Sequence, residues 1–261
     1  MRATFLRSLE VMERAFRRLE RQVPPPVEQQ SKDGFVLRYQ ERTIEQALIQ
    51  KLARQVSGLH AIDALLLKGL AQEQGVIQRT LDEIGEDIHF LVLAVTTGEV
   101  TPLHQRYLEE FWQEEFDHPD PIKATQKRGM VQRQKIRAFN ARAGGIPDPS
   151  TMDAVGHTVH KAYSGFVHAA SPHVMDMLEG SPPTFQISGM KSGYRRAEHV
   201  EDAWNYFYRG LLSVTMVAMA FRDASLVDHM YAYFREFEAA SGTEYTDGGF
   251  HERPTQVRPS R

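Results

Sequence analysis

Apolar residues recur at steps of three and four along most of this chain, which is the period of an α-helix and not of a strand. The N-terminal stretch shows it plainly. Phe5, Leu9, Met12, Phe16 and Leu19 share one face over residues 2–22, and the other faces carry six arginines and three glutamates. Pro24, Pro25 and Pro26 stop that helix, because proline lacks an amide hydrogen and clashes with the preceding turn. The same period returns over 42–74 through Ile44, Leu48, Leu52, Val56, Leu59 and Ile62, weakened by Gly58 and Gly69. A further helix is predicted over 75–95, ended by Thr96-Thr97-Gly98, and another over 102–117 with Pro102 at its first position.

Pro119 and Pro121 force a loop, and a basic helix follows over 122–143. Ser150 or Thr151 caps a helix to residue 170, a short one follows at 172–179, and 180–195 reads as a long loop rich in Gly, Ser and Pro. The last helical stretch, one helix or a pair, covers 198–240. There is no convincing strand alternation and no Gly-rich phosphate loop. The expected fold is all-α: a single-domain helical bundle of seven or eight helices. Its parts are an N-terminal amphipathic helix (1–23), a polar linker (24–34), the bundle domain (35–240) and a polar tail (241–261).

Composition narrows the function. With 41% apolar and 25% charged residues the chain can build a sizeable core. The net charge of −3 gives no global pull toward nucleic acid or membranes, so a charged partner must be read from local patches. The absence of cysteine removes disulfides, thiolate catalysis and Cys-type metal sites, and fits a cytoplasmic protein. The most apolar run, 211–221, is far shorter than the roughly 18 residues a membrane span needs. The N-terminus lacks the unbroken apolar stretch of a signal peptide.

Two helices carry polar stripes. On the helix at 151–169, Asp153, His157, His160, Ser164 and His168 align, with Val155, Val159, Ala162, Tyr163 and Phe166 on the other side. Imidazoles suit proton transfer near neutral pH and metal ligation, and an Asp four residues before a His can orient its ring. A solvated face is the ordinary alternative. On the helix at 75–95, Ile77, Leu81, Ile84, Ile88, Leu91 and Val95 form the buried stripe, with Arg79, Glu83 and Glu86 opposite. That charged line runs into Phe90 and Leu93, where the helix is apolar all round, so its carboxylates meet a buried boundary. The alternative there is a surface pair between Arg79 and Glu83.

Weaker patterns accompany these. Glu86-x-x-His89 and Glu115-x-x-His118 match an element of di-metal helical bundles. Arg54…His60 and Arg222…His229 approximate the Arg-to-His spacing of one class of helical ribonuclease. Residues 123–142 hold seven positive charges and no acid, a strip suited to RNA phosphates or to pairing with the acidic run at 109–117.

Gln78-Arg79-Thr80-Leu81-Asp82-Glu83, followed about 80 residues later by Tyr163-Ser164-Gly165-Phe166-Val167-His168, resembles a family of bacterial all-helical proteins of unknown function. That family has an Arg-x-x-x-Glu helix and a later Ser-x-x-x-His segment. The resemblance covers the central two-thirds of the chain and implies a cytoplasmic helical bundle with Arg79, Glu83, Ser164 and His168 as its site. A looser likeness to the HEPN helical ribonucleases implies action on RNA, although the spacing here is longer than their Arg-polar-x-x-x-His.

Three functions are therefore expected. The first is a metal-independent, ribonuclease-like protein of defence or toxin–antitoxin type, needing no cofactor. There His157 or His168 is the acid/base, Arg79 stabilises phosphate charge, and Glu83 and Ser164 complete the site. The second is a non-catalytic interaction module, a homodimer through the N-terminal helix or 211–221. The third is an enzyme with a divalent metal on Glu86, His89, His157 and His160. Whether the stripes at 75–95 and 151–169 face each other separates them.

Overall fold

In the computed structural model the helical period is realised along nearly every segment that carries it. Residues 1–31, 34–116, 118, 120–125, 129–144, 163–190 and 194–241 are described. Among them the helices are α1 (Arg2–Glu20), α2 (Ile44–Lys68), α3 (Ala71–Thr97), α4 (Pro102–Phe111), α5 (Arg133–Ala143), α6 (Ser171–Met175), α7 (Tyr194–Ala220) and α8 (Ala224–Ser241). Residues 163–167 are helical as well. The fold is all-α, as the period requires.

The helix ends follow local chemistry. Thr43 caps α2 through a reciprocal pair: its hydroxyl accepts from the Gln46 backbone amide and the Gln46 side chain accepts from the Thr43 backbone amide. Gly69 ends α2 with φ +71, where a side chain would be strained. Its carbonyl also accepts the Met190 amide at 2.8 Å, which ties the loop after residue 180 to the α2–α3 turn. The stretch at 198–240 is a pair of helices. It breaks at Arg222, with φ +56, and Asp223 accepts the Leu226 amide at the start of α8.

The long helices α2 and α3 lie against each other, and α7 packs on both. Helix α1 rests on α2, α7 and α8, while α5 rests on α3. Phe5, Met12, Leu52, Leu59, Leu81, Phe207 and Phe234 meet in one core, where Phe5 stacks on Phe207 at 4.3 Å. All five residues of the α1 stripe are buried, as are Leu211, Val214, Val217 and Ala218 of α7. These apolar faces pack within the chain itself. Among the described residues no helix is long and apolar enough to cross a membrane.

Three expectations shift. Part of the linker at 24–34 is structured: β1 (Val27–Ser31) pairs antiparallel with β2 (Gly34–Arg38), in register from Val27↔Arg38 to Ser31↔Gly34. The short helix expected at 172–179 stops at Met175, and a two-residue pair, β3 (Leu178–Glu179) with β4 (Thr184–Phe185), spans its expected end and the loop after it. Helix α4 stops at Phe111, and the helix foreseen over 122–143 is shorter, starting at Arg133 after a single 3₁₀ turn at Pro121–Lys123.

Candidate functional site, a cleft on helix α3

Helix α3 crosses the molecule with neighbours on several sides, so its polar residues cannot all reach water. Asp87, one turn before the apolar end of α3, is 3% exposed. A buried carboxylate needs compensation, and here two cations supply it. Lys51 of α2 places Nζ 2.7 Å from Oδ2, and Arg133, the first residue of α5, donates to Oδ1 at 2.6 and 2.7 Å. Arg133 also donates to the Glu83 carbonyl at 2.7 Å and lies 3.2 Å from the Glu86 carboxylate. Arg137, one turn on, donates to the other Glu86 oxygen at 2.9 Å, and Asn140 donates to the Glu86 carbonyl at 3.0 Å. This network is what fastens α5 to α3.

A cleft of about 470 Å³ opens beside it. Thr80, Glu83, Ile84 and Asp87 form its floor, Lys51 one side, Tyr107, Glu110 and Phe111 of α4 another, and Gly129, Met130, Val131 and Arg133 the last. The Lys51 ammonium sits 5.0 Å from the Phe111 ring centre and 5.8 Å from that of Tyr107, a cation–π arrangement. Burial first, and then the Asp87 charge, push the Tyr107 hydroxyl far above its ordinary pKa, so it acts as a neutral hydrogen-bonding group. Glu110 accepts from Arg106 at 2.9 Å through one oxygen, while the other is buried with no hydrogen-bond partner.

A second network holds the other side of α3. Asp82 is 4% exposed and accepts from the Tyr206 hydroxyl at 2.9 Å and from Arg209 at 2.6 Å, both on α7. Tyr163 stands edge-on to Tyr206 at 6.2 Å, and Phe166 lies on Gly75, where an added Cβ would fall 2.5 Å from the ring. Burial and then the Asp202 charge push the Tyr163 hydroxyl up to about 12. His173 and His199 border the Phe166 ring at 4.5 and 6.5 Å.

The expected site residues are distributed as follows. Glu83 lines the cleft, and Arg79 Nε lies 3.9 Å from its carboxylate. Glu86 sits behind the cleft with each oxygen engaged by an arginine, which leaves it ill suited to a metal. His89 is partly buried, and burial lowers its pKa. Asp153, His157 and His160 lie outside the described residues. Ser164 and His168 do not line the cleft: Phe166 meets Gly75 of α3, Tyr163 meets Tyr206 of α7, and the His168 side chain is exposed. Among the described residues no group of three or more His, Asp or Glu is placed to hold a metal ion.

The weaker patterns separate as well. Arg54 is exposed, and His60 pairs with Glu13 at 2.6 Å. Arg222 and His229 are exposed, and so are Glu115 and His118. Two cations of the described part of the basic strip at 123–142 face helix α3. Arg133 and Arg137 turn inward to the buried Asp87 and the partly buried Glu86, whose carboxylates need a counter-charge there.

Lys51, Asp87, Tyr107, Glu110 and Arg133 were not singled out by spacing. The available signal was indirect: a helix buried all round at Phe90 that also carries acids, and an acid-free basic strip elsewhere in the chain. No family model matches the chain, nor does any curated protein or solved structure.

Proposed function

We propose that this protein is a ligand-binding helical module, with the cleft between α2, α3, α4 and residues 129–133 as its binding site. The observation that carries this is a 470 Å³ recess lined by both ionic and aromatic groups over the buried Asp87 network. Concave sites with an apolar wall and a few fixed polar groups are where small molecules bind. Ile84, Phe111, Met130 and Val131 supply the wall, and Glu83, Tyr107 and Glu110 supply the polar groups. Binding is favoured over catalysis because Lys51 and Arg133 already hold Asp87, and Tyr107 stays protonated near neutral pH and so offers no base. A thermal-shift screen of small organic molecules tests it. Hits are expected to disappear in Phe111→Ala while the variant keeps its helical circular dichroism. Hits that persist unchanged in that variant would place the site elsewhere.

A second reading, action on RNA in a ribonuclease-like manner, is favoured by Arg79. One of its guanidinium nitrogens is buried without a hydrogen-bond partner, so the side chain gains a hydrogen bond by turning outward to a phosphate oxygen. RNA binding or cleavage at low salt that is lost in Arg79→Ala supports this reading. Wild-type protein that neither binds nor cuts RNA under those conditions opposes it.

A further inference from the structure

We infer that the cleft has a pH-sensitive roof: helices α4 and α5 open from α3 as one unit, more readily as the pH falls, with the buried His104 as the pin that holds them. That this motion gives access to a binding site rests on the reading of the cleft; the motion itself does not. Helix α4 brings Tyr107, Glu110 and Phe111 to the cleft, and α5 with the residues just before it brings Met130, Val131 and Arg133. Each of the two helices makes its main helix contact with α3. Each is short, with only His104 and Tyr107 buried on α4, and Ile136 and Ala141 on α5. Elements of this kind open locally at less cost than long core helices.

The two helices meet at one imidazole. His104 is wholly buried; its ring stacks on Phe90 of α3 at 4.0 Å and stands edge-on to Phe139 of α5 at 4.7 Å. Phe139 is itself edge-on to Phe90 at 5.1 Å, so one ring from each of three helices closes the contact. The hydrogen bonds fix the protonation of the imidazole. The Thr101 backbone amide can only donate, so Nδ1, 3.1 Å away, accepts, and the Thr101 hydroxyl lies 2.8 Å from the same nitrogen. Nε2 then carries the proton and donates to the Phe90 carbonyl at 3.1 Å. A second proton, on Nδ1, would point at the amide that now donates to it. Burial also lowers the pKa of this ring, opposed in part by the Phe90 carbonyl.

The ring touches Phe90, Phe139 and Thr101, which carry no charge. The charged groups of the same three helices are engaged with one another. Glu86 and Asp87 hold Arg133 and Arg137, Asp87 also holds Lys51 of α2, and Glu110 holds Arg106. The other histidine on these elements is His89, partly buried and likewise lowered by burial. Between about pH 7.5 and about pH 5.5, above the ordinary carboxylate range, histidine is the side chain that titrates. A ring held neutral in the closed state and released to water in the open one makes opening more favourable by up to about tenfold across that window.

Hydrogen exchange of the full chain at the two pH values, each rate divided by its intrinsic rate at that pH, tests this, with α1 and α7 as the internal reference. Protection of α4 and α5 is expected to fall by about fivefold to tenfold relative to α1 and α7, and by the same factor in both helices. The fall is expected to persist in His89→Gln and to vanish in His104→Gln. Protection of α4 and α5 that changes no more than that of α1 and α7 in the wild-type protein overturns the inference, whatever the variants do. So does a response in α4 without α5, or one that follows His89 instead of His104. None of these outcomes bears on whether the cleft binds a ligand, which the Phe111-dependent screen decides.

Discussion

Asp82 and Asp87 are both buried on α3, and the molecule compensates them in opposite ways. Asp82 takes its two partners, Tyr206 and Arg209, from a single helix, and the Tyr163 ring closes over the pair. Asp87 takes Lys51 from α2 and Arg133 from α5, which converge from two separate elements. Aromatic partners fill volume as they satisfy charge. Long aliphatic stems reaching in from two directions leave space between them, and beside Asp87 that space is the cleft. A buried carboxylate can thus seal a helix contact or hold open a recess, depending on the shape of the groups that neutralise it.

The largest contrast is expected from removing the carboxylates' partnerships. Asp87→Ala leaves Lys51 and Arg133 side by side without their shared counter-charge, and should cost about 3 kcal/mol in urea unfolding, as for other broken buried pairs. A cost below about 1 kcal/mol would mean that water already does much of the compensating there. On the sealed side, Tyr206→Phe removes one of the two hydrogen bonds to Asp82 and should cost about 2 kcal/mol, a typical value for a buried charged acceptor losing a donor. Because Arg209 is half-exposed and can readjust, this effect should stay below that of Asp87→Ala. Gly75→Ala tests whether Phe166 fixes the 163–167 segment to α3. Overpacking costs about 1–3 kcal/mol, and the helix preference of alanine returns up to about 1 kcal/mol. A net loss near 1 kcal/mol is expected, together with a changed near-ultraviolet aromatic signal.

A smaller, graded effect is expected with pH. Burial lowers the pKa of His89 and His104 below the ordinary 6.5, and for His104 the Phe90 carbonyl opposes this in part. The unfolded chain therefore takes up these protons first as the pH falls. Their contribution is complete above pH 6.5 and is lost as the pH drops toward the folded-state values. For His104 the loss has a visible cause: its Nδ1 accepts the Thr101 amide at 3.1 Å at the start of α4, and a proton there would break the cap. The melting temperature should hold steady above pH 7 and decline as the pH falls below 6.5. In His104→Gln, which can accept from Thr101 as Gln46 does from Thr43, the slope should be shallower.

The same contrast explains what was legible in the sequence. The apolar stripe of α1 could be read position by position, because a helix that buries one face repeats it locally. The β1–β2 hairpin could not, since Phe35 and Leu37 are exposed at 61% and 53% and no buried face imposes alternation. Local spacing did find Arg79 and Glu83, which are four residues apart, yet theirs is the long contact of α3 at 3.9 Å. The strong contacts join Asp87 to residues 36 and 46 positions away, where no spacing rule reaches. Only the mismatch between acids on a buried helix and a basic strip without acids hinted at them.

The central claim, that the recess beside Asp87 is the binding site, is tested most directly by soaking crystals of the full chain in a mixed fragment set. The account predicts bound fragments lying on Phe111 and Ile84. Fragments that cluster elsewhere on the molecule and leave this recess to solvent would contradict it.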